Sequence, residues 1–201
     1  MLSQDERSTL GLRERKKART RAAIQRHAFR LFREHGYDRT SVSQIAEAAE
    51  VSESTFFRYF PTKEDVVLWD AYDPRIIEAF RAQPAELSPV AALRAAFRDV
   101  LGQLSEAEQA DQRERMELML SVQPLRAMLV DQIRGPIRLL GEILAERVGR
   151  KPDDPGVRVV AGAVLGVGLA VMFAWAEAPD ADMVAMVDDA MARLESGLRL
   201  Q

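Results

Sequence analysis

The segment Thr40–Phe60, TSVSQIAEAAEVSESTFFRYF, constrains this chain more than any other. It reads as two helices of about eight and seven residues joined by the turn Ala49–Ser52. Helices this short do not persist alone, because the first turn fixes several dihedrals for a single hydrogen bond. They must pack crosswise on each other and on a neighbour. Ala46 is small enough for a close approach, and Val51 and Phe56 fill the angle between the helices. Thr40 or Ser41 starts the first, with Val42, Ile45 and Ala46 inward, and Ser52 caps the second. The solvent side of Ser52–Tyr59 then shows Glu53, Ser54, Thr55, Arg58 and Tyr59. These are hydrogen-bonding residues that a buried helix does not need. In a helix-turn-helix the second helix enters the major groove of DNA and its first residues reach base edges.

Helical periodicity runs through the rest of the chain. From Arg13 to His35, Ile24, Ala28, Leu31 and Phe32 recur at helical spacing, with Gly36 as a left-handed cap. Thr62 and Asp65 come close to a capping box for a helix running to about Gln83, which Pro74 should kink or break after Asp73. Ser88–Pro89 opens a helix to about Leu104. Glu106–Val122 and Pro124–Gly149 follow, the second bent at Gly135–Pro136. The loop Arg150–Gly156 precedes Val157–Ala178 and Ala181–Leu200. That gives about nine helices, no strand and no internal repeat: an all-α chain. Residues 1–12 are expected to form a disordered arm, 13–63 a three-helix helix-turn-helix domain, and 64–201 a second helical domain.

Charge separates the same two parts. Residues 1–63 hold 13 Lys/Arg and 8 Asp/Glu, whereas residues 64–201 hold 15 and 23, within a net charge of −3. A basic head on an acidic body points to a polyanionic partner for the head alone. Arg13, Arg15, Lys16, Lys17, Arg19 and Arg21 fall within nine positions. The chain has no cysteine and only two histidines, His27 and His35, which excludes thiolate chemistry and leaves no histidine-rich metal centre. No cofactor is expected. MLSQDERSTL lacks the apolar core of a secretory signal, so the expected location is the cytoplasm.

The run from Ala18 to about Arg75, centred on FREHGYDRTSVSQIAEAAEVSESTFFRYFPTKEDV, resembles the DNA-binding domain of the TetR family of bacterial regulators. The order Gly36–Tyr37, Thr40-Ser41-Val42, Ile45-Ala46, Val51-Ser52, Thr55-Phe56-Phe57, Tyr59-Phe60 and Lys63-Glu64 carries it. The resemblance implies that Thr40, Ser41 and Ser43 contact phosphates, and that Ser52, Ser54, Thr55, Arg58 and Tyr59 lie at the groove, with Arg58 reading a base. Lys63 would anchor a phosphate, and the Arg13–Arg21 run would reach flanking DNA. Two positions depart from the family pattern. Glu50 stands where glycine is usual, so a left-handed conformation there would cost roughly 1–2 kcal/mol. Phe57 stands where tyrosine is common and is read either as core or as a contact to a thymine methyl. Phe56 and Phe60 are read as core.

Val159–Ala176 is uncharged over eighteen residues and contains Gly162-x-x-x-Gly166. It is long enough to cross a membrane. It also suits a helix with one face in a core and another in a subunit interface, where Gly162, Gly166 and Gly168 permit close approach. Met183, Val187, Ala190, Leu194 and Leu198 form a bundle seam. TetR-like proteins dimerise through their last two long helices, so the expected dimer interface includes Gly162, Gly166, Met183, Val187 and Leu194. Between head and bundle, Trp69, Tyr72, Ile76, Phe97, Met116, Met119, Leu120 and Met128 could converge on an apolar cavity, or be ordinary core. RERMELMLSVQPLRA and Trp175 resemble the TetR subgroup described as binding acyl-CoA-like ligands. A positive side chain such as Arg113, Arg115 or Arg126 would meet the ligand's phosphates or form a surface ion pair.

The expected function is a homodimeric repressor, not an enzyme, bound to a near-palindromic duplex operator and released by a small hydrophobic effector such as an acyl-CoA. Pro74 is a place for the releasing swing to begin. The rivals are an all-helical enzyme acting on acyl thioesters and a membrane-tethered regulator. The first lacks a recognisable nucleophile–base set, and the second would need detergent for extraction.

Overall fold

The computed structural model describes residues 4–69, 73–178 and 180–197, the side chains of 4–15, 73 and 129–132 excepted. Among these residues there are eleven helices and no strand. The chain divides into two compact units, Met1–Trp69 and Asp70–Gln201.

The first unit holds α1 (Gln4–His35), α2 (Val42–Ala48), α3 (Glu53–Tyr59) and α4 (Lys63–Leu68). α1 begins nine residues before the expected Arg13, so the arm expected to be disordered is helical from Gln4. No proline interrupts it. Ile24 and Ala28 are fully buried, with Leu31 and Phe32 nearly so, as the apolar spacing requires. Gly36 ends the helix at φ +85°.

The short helices begin at side-chain caps. The Ser41 hydroxyl accepts from Gln44 N–H while the Gln44 side chain accepts from Ser41 N–H, and Thr62 and Asp65 do the same for α4. Each reciprocal pair satisfies two otherwise orphaned donors. Ile45, Ala46, Phe56, Phe60, Val66 and Val67 point inward and are almost completely buried.

The turn between α2 and α3 closes with two bonds, Glu50 N–H to the Glu47 carbonyl at 3.0 Å and Val51 N–H to the Ala46 carbonyl at 2.9 Å. This is a Schellman ending, in which the residue after the cap is left-handed and commonly glycine. Here that residue is Glu50, at φ +55°.

The second unit holds α5 (Asp73–Ala82), α6 (Pro89–Leu101), α7 (Glu106–Ser121), α8 (Gln123–Gln132), α9 (Arg134–Val148), α10 (Pro155–Glu177) and α11 (Met183–Glu195). Its core gathers Phe80, Leu93, Ala96, Ile143, Leu144, Val157, Ala161, Val164 and Met191. The two helices beyond the expected nine come from splitting 63–83 and 124–149. In both cases the proline opens a new helix instead of kinking an old one. Pro74 lies in the first turn of α5 and Pro136 in the first turn of α9, where the missing N–H has no intrahelical acceptor anyway. Asp154–Pro155 repeats the Ser88–Pro89 device, so the expected loop ends two residues early.

Arginines close this unit. Arg94 grips Asp188 with two bonds of 2.8 and 2.6 Å, tying α6 to α11. Arg147 donates to the carbonyls of Gln83, Pro84 and Leu87 and lies over the Phe80 ring, fixing the turn between α5 and α6.

Glu50→Gly should raise the melting temperature. Relief of about 1–2 kcal/mol of left-handed strain outweighs the ~0.5–1 kcal/mol entropic cost of a glycine. Thermal unfolding of the two proteins side by side checks this, and a lower melting point for the glycine variant would contradict it.

Candidate nucleic-acid interface and cavity

Exposure on α3 sorts by helical position. Phe56 and the following Phe60 are fully buried, and Thr55 and Tyr59 are half-buried. Glu53, Ser54, Phe57 and Arg58 are exposed and share one face. The core alternative for Phe57 therefore fails, for its side chain is 47% exposed.

The start of α3 is a cluster of hydroxyls. Ser52 Oγ accepts from Thr55 N–H at 3.1 Å, lies 2.9 Å from Ser54 Oγ and donates to Thr55 Oγ1 at 3.0 Å. Arg58 reaches Thr55 Oγ1 at 3.5 Å and stacks over the Tyr59 ring at 5.5 Å. Ser41 and Ser43 are exposed at the beginning of α2.

Several residues expected at the surface are used inside the unit. Thr40 is 1% exposed, and its hydroxyl is directed at the carbonyls of Gly36 (2.9 Å) and Leu31 (3.3 Å). It secures the end of α1 instead of presenting a hydroxyl to a phosphate. Lys63 Nζ donates to the Tyr37 and Thr40 carbonyls at 2.9 and 3.1 Å and sits 4.0 Å from the Tyr37 ring centroid. Two of its three donors are thus occupied, leaving one for an anion.

Arg21 departs from the basic run. Its guanidinium lies 5.0 Å from the rings of both Phe60 and Trp69, and burial pushes its pKa below the usual arginine value against the pull of Asp65. Lys16, Lys17 and Arg19 are exposed. Trp69, expected in a ligand cavity, belongs to the first unit, where it packs on Phe60 and its carbonyl accepts from the Gln25 amide at 2.9 Å.

Tyr37 donates its hydroxyl to Glu64 at 2.8 Å. Burial raises the Glu64 pKa, but the combined hydrogen bonds from its own backbone N–H, Tyr37 and Thr62, with the charge of Lys63, bring it below the ordinary value. Burial, followed by the bond to Glu64, pushes Tyr37 far up.

The second unit contains a cavity of about 220 Å³. Ile76, Phe97, Met116 and Trp175 line it as expected from the sequence. Met119, Leu120 and Met128 do not, and Tyr72 lies outside the described residues. The wall that sequence reasoning missed comes from α9, α10 and α11, including Leu139, Gly168, Met172, Met183 and Met191. Gln112 and Arg115 are its polar members. Arg115 is 6% exposed and donates from Nε to Gln112 Oε1 at 3.0 Å. Arg113 instead caps α10, donating to the carbonyls of Trp175 (2.7 Å) and Ala178 (3.1 Å) while lying over the Trp175 ring. Arg126 is exposed.

α10 is apolar on every side, and at mean hydropathy 2.2 it is long and apolar enough to cross a membrane. One face, with Val157, Ala161, Val164, Val171 and Trp175, is buried in its own unit. The other exposes Val159 and Phe173, and side chains added at Gly162 or Gly166 would meet open space. Gly168 faces the cavity. The expected interface needs correction at Met183, Val187 and Leu194. Met183 and Val187 line the cavity and Leu194 packs on the core, because α11 turns its apolar seam toward α6 and α10. Leu198 lies outside the described residues.

A small helical unit with a polar recognition face, followed by a helical unit with an internal cavity, defines a helix-turn-helix transcriptional regulator. Residues 24–68 match the family described as bacterial regulatory proteins, tetR family, and residues 87–199 match the MftR C-terminal domain. The chain is 37% identical over 184 residues to the HTH-type transcriptional regulator TcmR of Streptomyces glaucescens, spanning 88% of this chain and 81% of that protein. It is 28% identical to the putative mycofactocin biosynthesis transcriptional regulator MftR of Mycobacterium tuberculosis, spanning 80% and 82%. Among solved structures, Thermus thermophilus FadR, a TetR-family repressor in complex with lauroyl-CoA, is similar at 26% identity and a TM-score of 0.56, covering 90% of this chain and 96% of that one. The chain belongs to the TetR family. It is a DNA-binding transcriptional regulator, and neither the enzyme nor the membrane-tethered alternative finds support among these relatives.

Two variants test the internal roles. Lys63→Met should destabilise the protein by about 2 kcal/mol, since it strands two carbonyls that accept from a charged donor. A melting point within a degree of the parent would contradict that assignment. Because the folded-state pKa of Glu64 is depressed, its contribution is present above the unfolded-state carboxylate pKa and is lost as pH falls through the folded one. Tyr37→Phe removes one donor to the carboxylate, so the folded-state pKa moves up toward the unfolded one, and the acid loss of stability should be smaller and complete at a higher pH. Melting curves between about pH 3 and pH 7 check the sign.

Proposed function

We propose that the protein is a homodimeric repressor that binds a near-palindromic operator in the cytoplasm and is released when a hydrophobic effector enters the cavity of the second unit. The observation that carries this reading is the apolar cavity with Arg115 and Gln112 in its wall, in a chain whose first unit carries a helix-turn-helix. Such a site, apolar with a few placed polar groups, suits a hydrophobic ligand bearing one polar end. The lauroyl-CoA held by the Thermus thermophilus relative makes an acyl-CoA the first effector to test. The acyl chain would occupy the cavity beside Phe97, Met116 and Trp175.

At the operator, Ser41 and Ser43 would bind phosphates, assisted by the amides at the start of α2. Ser54, Phe57 and Arg58 would face the base edges, with Arg58 leaving Thr55 and Tyr59 to pair with guanine. Ser52, Thr55 and Tyr59 would flank that contact, and Lys63 would use its remaining donor on a phosphate. Thr40 holds the turn from which these groups project.

The second copy would pack on the outward face of α10, at Val159, Gly162, Gly166 and Phe173. A two-fold axis there gives two recognition helices for two half-sites, roughly 34–36 Å apart. Release is linkage: an effector that prefers the unbound conformation by about 1.4 kcal/mol weakens operator binding tenfold.

Selection of bound sites from a random duplex library, with and without lauroyl-CoA, tests the reading. A near-palindrome should be enriched, and lauroyl-CoA should abolish its capture. A palindrome unaffected by lauroyl-CoA would reject that effector class, and no enriched sequence would reject the operator. Gly168→Leu should then fill the cavity, since an added Cβ there meets nothing within 4 Å. This variant should bind the operator within about threefold of the parent and lose the effector response. A retained response would place the effector elsewhere.

A further inference from the structure

We infer that Phe57 recognises a 5-methyl group on a pyrimidine in the major groove, so that the protein reads 5-methylcytosine as it reads thymine at one position of each half-site. The inference rests on α3 being the helix that enters the groove. On its outward face Phe57 is the large apolar side chain, set among Glu53, Ser54 and Arg58. The neighbouring Phe56 and Phe60 fill the core completely, whereas Phe57 leaves 47% of its surface in water. Its ring stands edge-on to the buried Phe56 ring at 5.5 Å and 87°, so it projects from the helix as an apolar probe on a buried support.

The chemistry of the groove narrows what such a probe can meet. A phenyl ring neither donates nor accepts a conventional hydrogen bond, so it gains nothing from purine N7, guanine O6 or the exocyclic amines. The apolar group on the major-groove edge of unmodified DNA is the thymine 5-methyl. Cytosine and uracil carry hydrogen at that carbon. 5-Methylcytosine carries the same methyl at the same carbon, although its neighbouring 4-position donates where thymine accepts. A ring that senses the methyl alone does not distinguish the two bases. The polar members of the same face, Ser54 and Arg58, are then left to read the adjoining positions.

The test uses the full-length protein and the operator recovered by selection, with affinity followed by fluorescence anisotropy. Each thymine of a half-site is replaced in turn by uracil, which removes one methyl and nothing else. Burial of one methyl supports a loss of about three- to fivefold at one position, and roughly the square of that when both half-sites are changed. At that position a cytosine operator should gain a similar factor when the cytosine is methylated at carbon 5. Phe57→Ala should erase both effects while leaving the other positions unchanged, and Phe57→Leu, which keeps an apolar contact, should retain them. Because Phe57 is exposed, both variants should melt with the parent.

Uracil tolerated at every position would overturn the inference while leaving operator binding intact. So would a uracil penalty that persists in Phe57→Ala. Failure to recover any operator would overturn the inference together with the reading on which it rests.

Discussion

The burial of two phenylalanine rings, Phe56 and Phe60, makes the recognition helix possible. A helix of seven residues has no stability of its own, and the caps at Ser52 and Thr62 contribute only about 1 kcal/mol each. Full burial of a phenylalanine contributes roughly 1.5–3 kcal/mol. With both rings inside, Phe60 against Trp69 and the Arg21 guanidinium, the helix has one permitted rotation about its axis. That rotation presents Glu53, Ser54, Phe57 and Arg58 outward. The lysine bridge from Lys63 to the Tyr37 and Thr40 carbonyls and the strained turn at Glu50 then fix where the helix begins and ends.

The second unit follows a different constraint. A helix as apolar as α10 must cover more than one face. Its core face packs against α7, α9 and α11, and part of that core is left as a cavity instead of being filled. Glycine at 168 and flexible methionines at 116, 172, 183 and 191 line the space, a composition that adapts to an apolar guest. The opposite face, with small residues at 162 and 166, leaves Val159 and Phe173 exposed, and it is the face proposed above for a second copy. A cavity and an unpartnered apolar face on one helix give a ligand a direct way to bias the assembly that holds two recognition helices.

Much of this was legible in the sequence because caps and apolar spacing are local. Ser41, Ser52 and Ser88 cap the helices they precede, and Ile24, Ala28, Leu31 and Phe32 point inward. The failures fall on side chains whose role is decided by distant neighbours. Thr40 looks like a phosphate contact until the carbonyls it satisfies come into reach, and Lys63 spends two of its three donors in the same way. Arg21 sits in a basic run, yet its helical position turns it toward Phe60 and Trp69. Met183, Val187 and Leu194 form a seam that fits a dimer interface as well as it fits an internal one, and periodicity does not say which partner a seam will meet. Arg115 is one of three arginines that the sequence offers to a ligand's phosphates, and nothing local singles it out from Arg113 and Arg126, while Gln112 carries no signal beyond being a polar residue on a helix.

The central claim is that the outward face of α3 sits in the major groove, twice, about a two-fold axis. Dimethyl sulfate protection of guanine N7 on the selected operator tests it most directly, since that atom lies in the groove and is the expected partner of Arg58. The account predicts two protected patches on one face of the duplex, roughly 34–36 Å apart, with Arg58→Ala losing protection at one guanine in each. A single patch, or guanines that remain fully reactive under saturating protein, would contradict it.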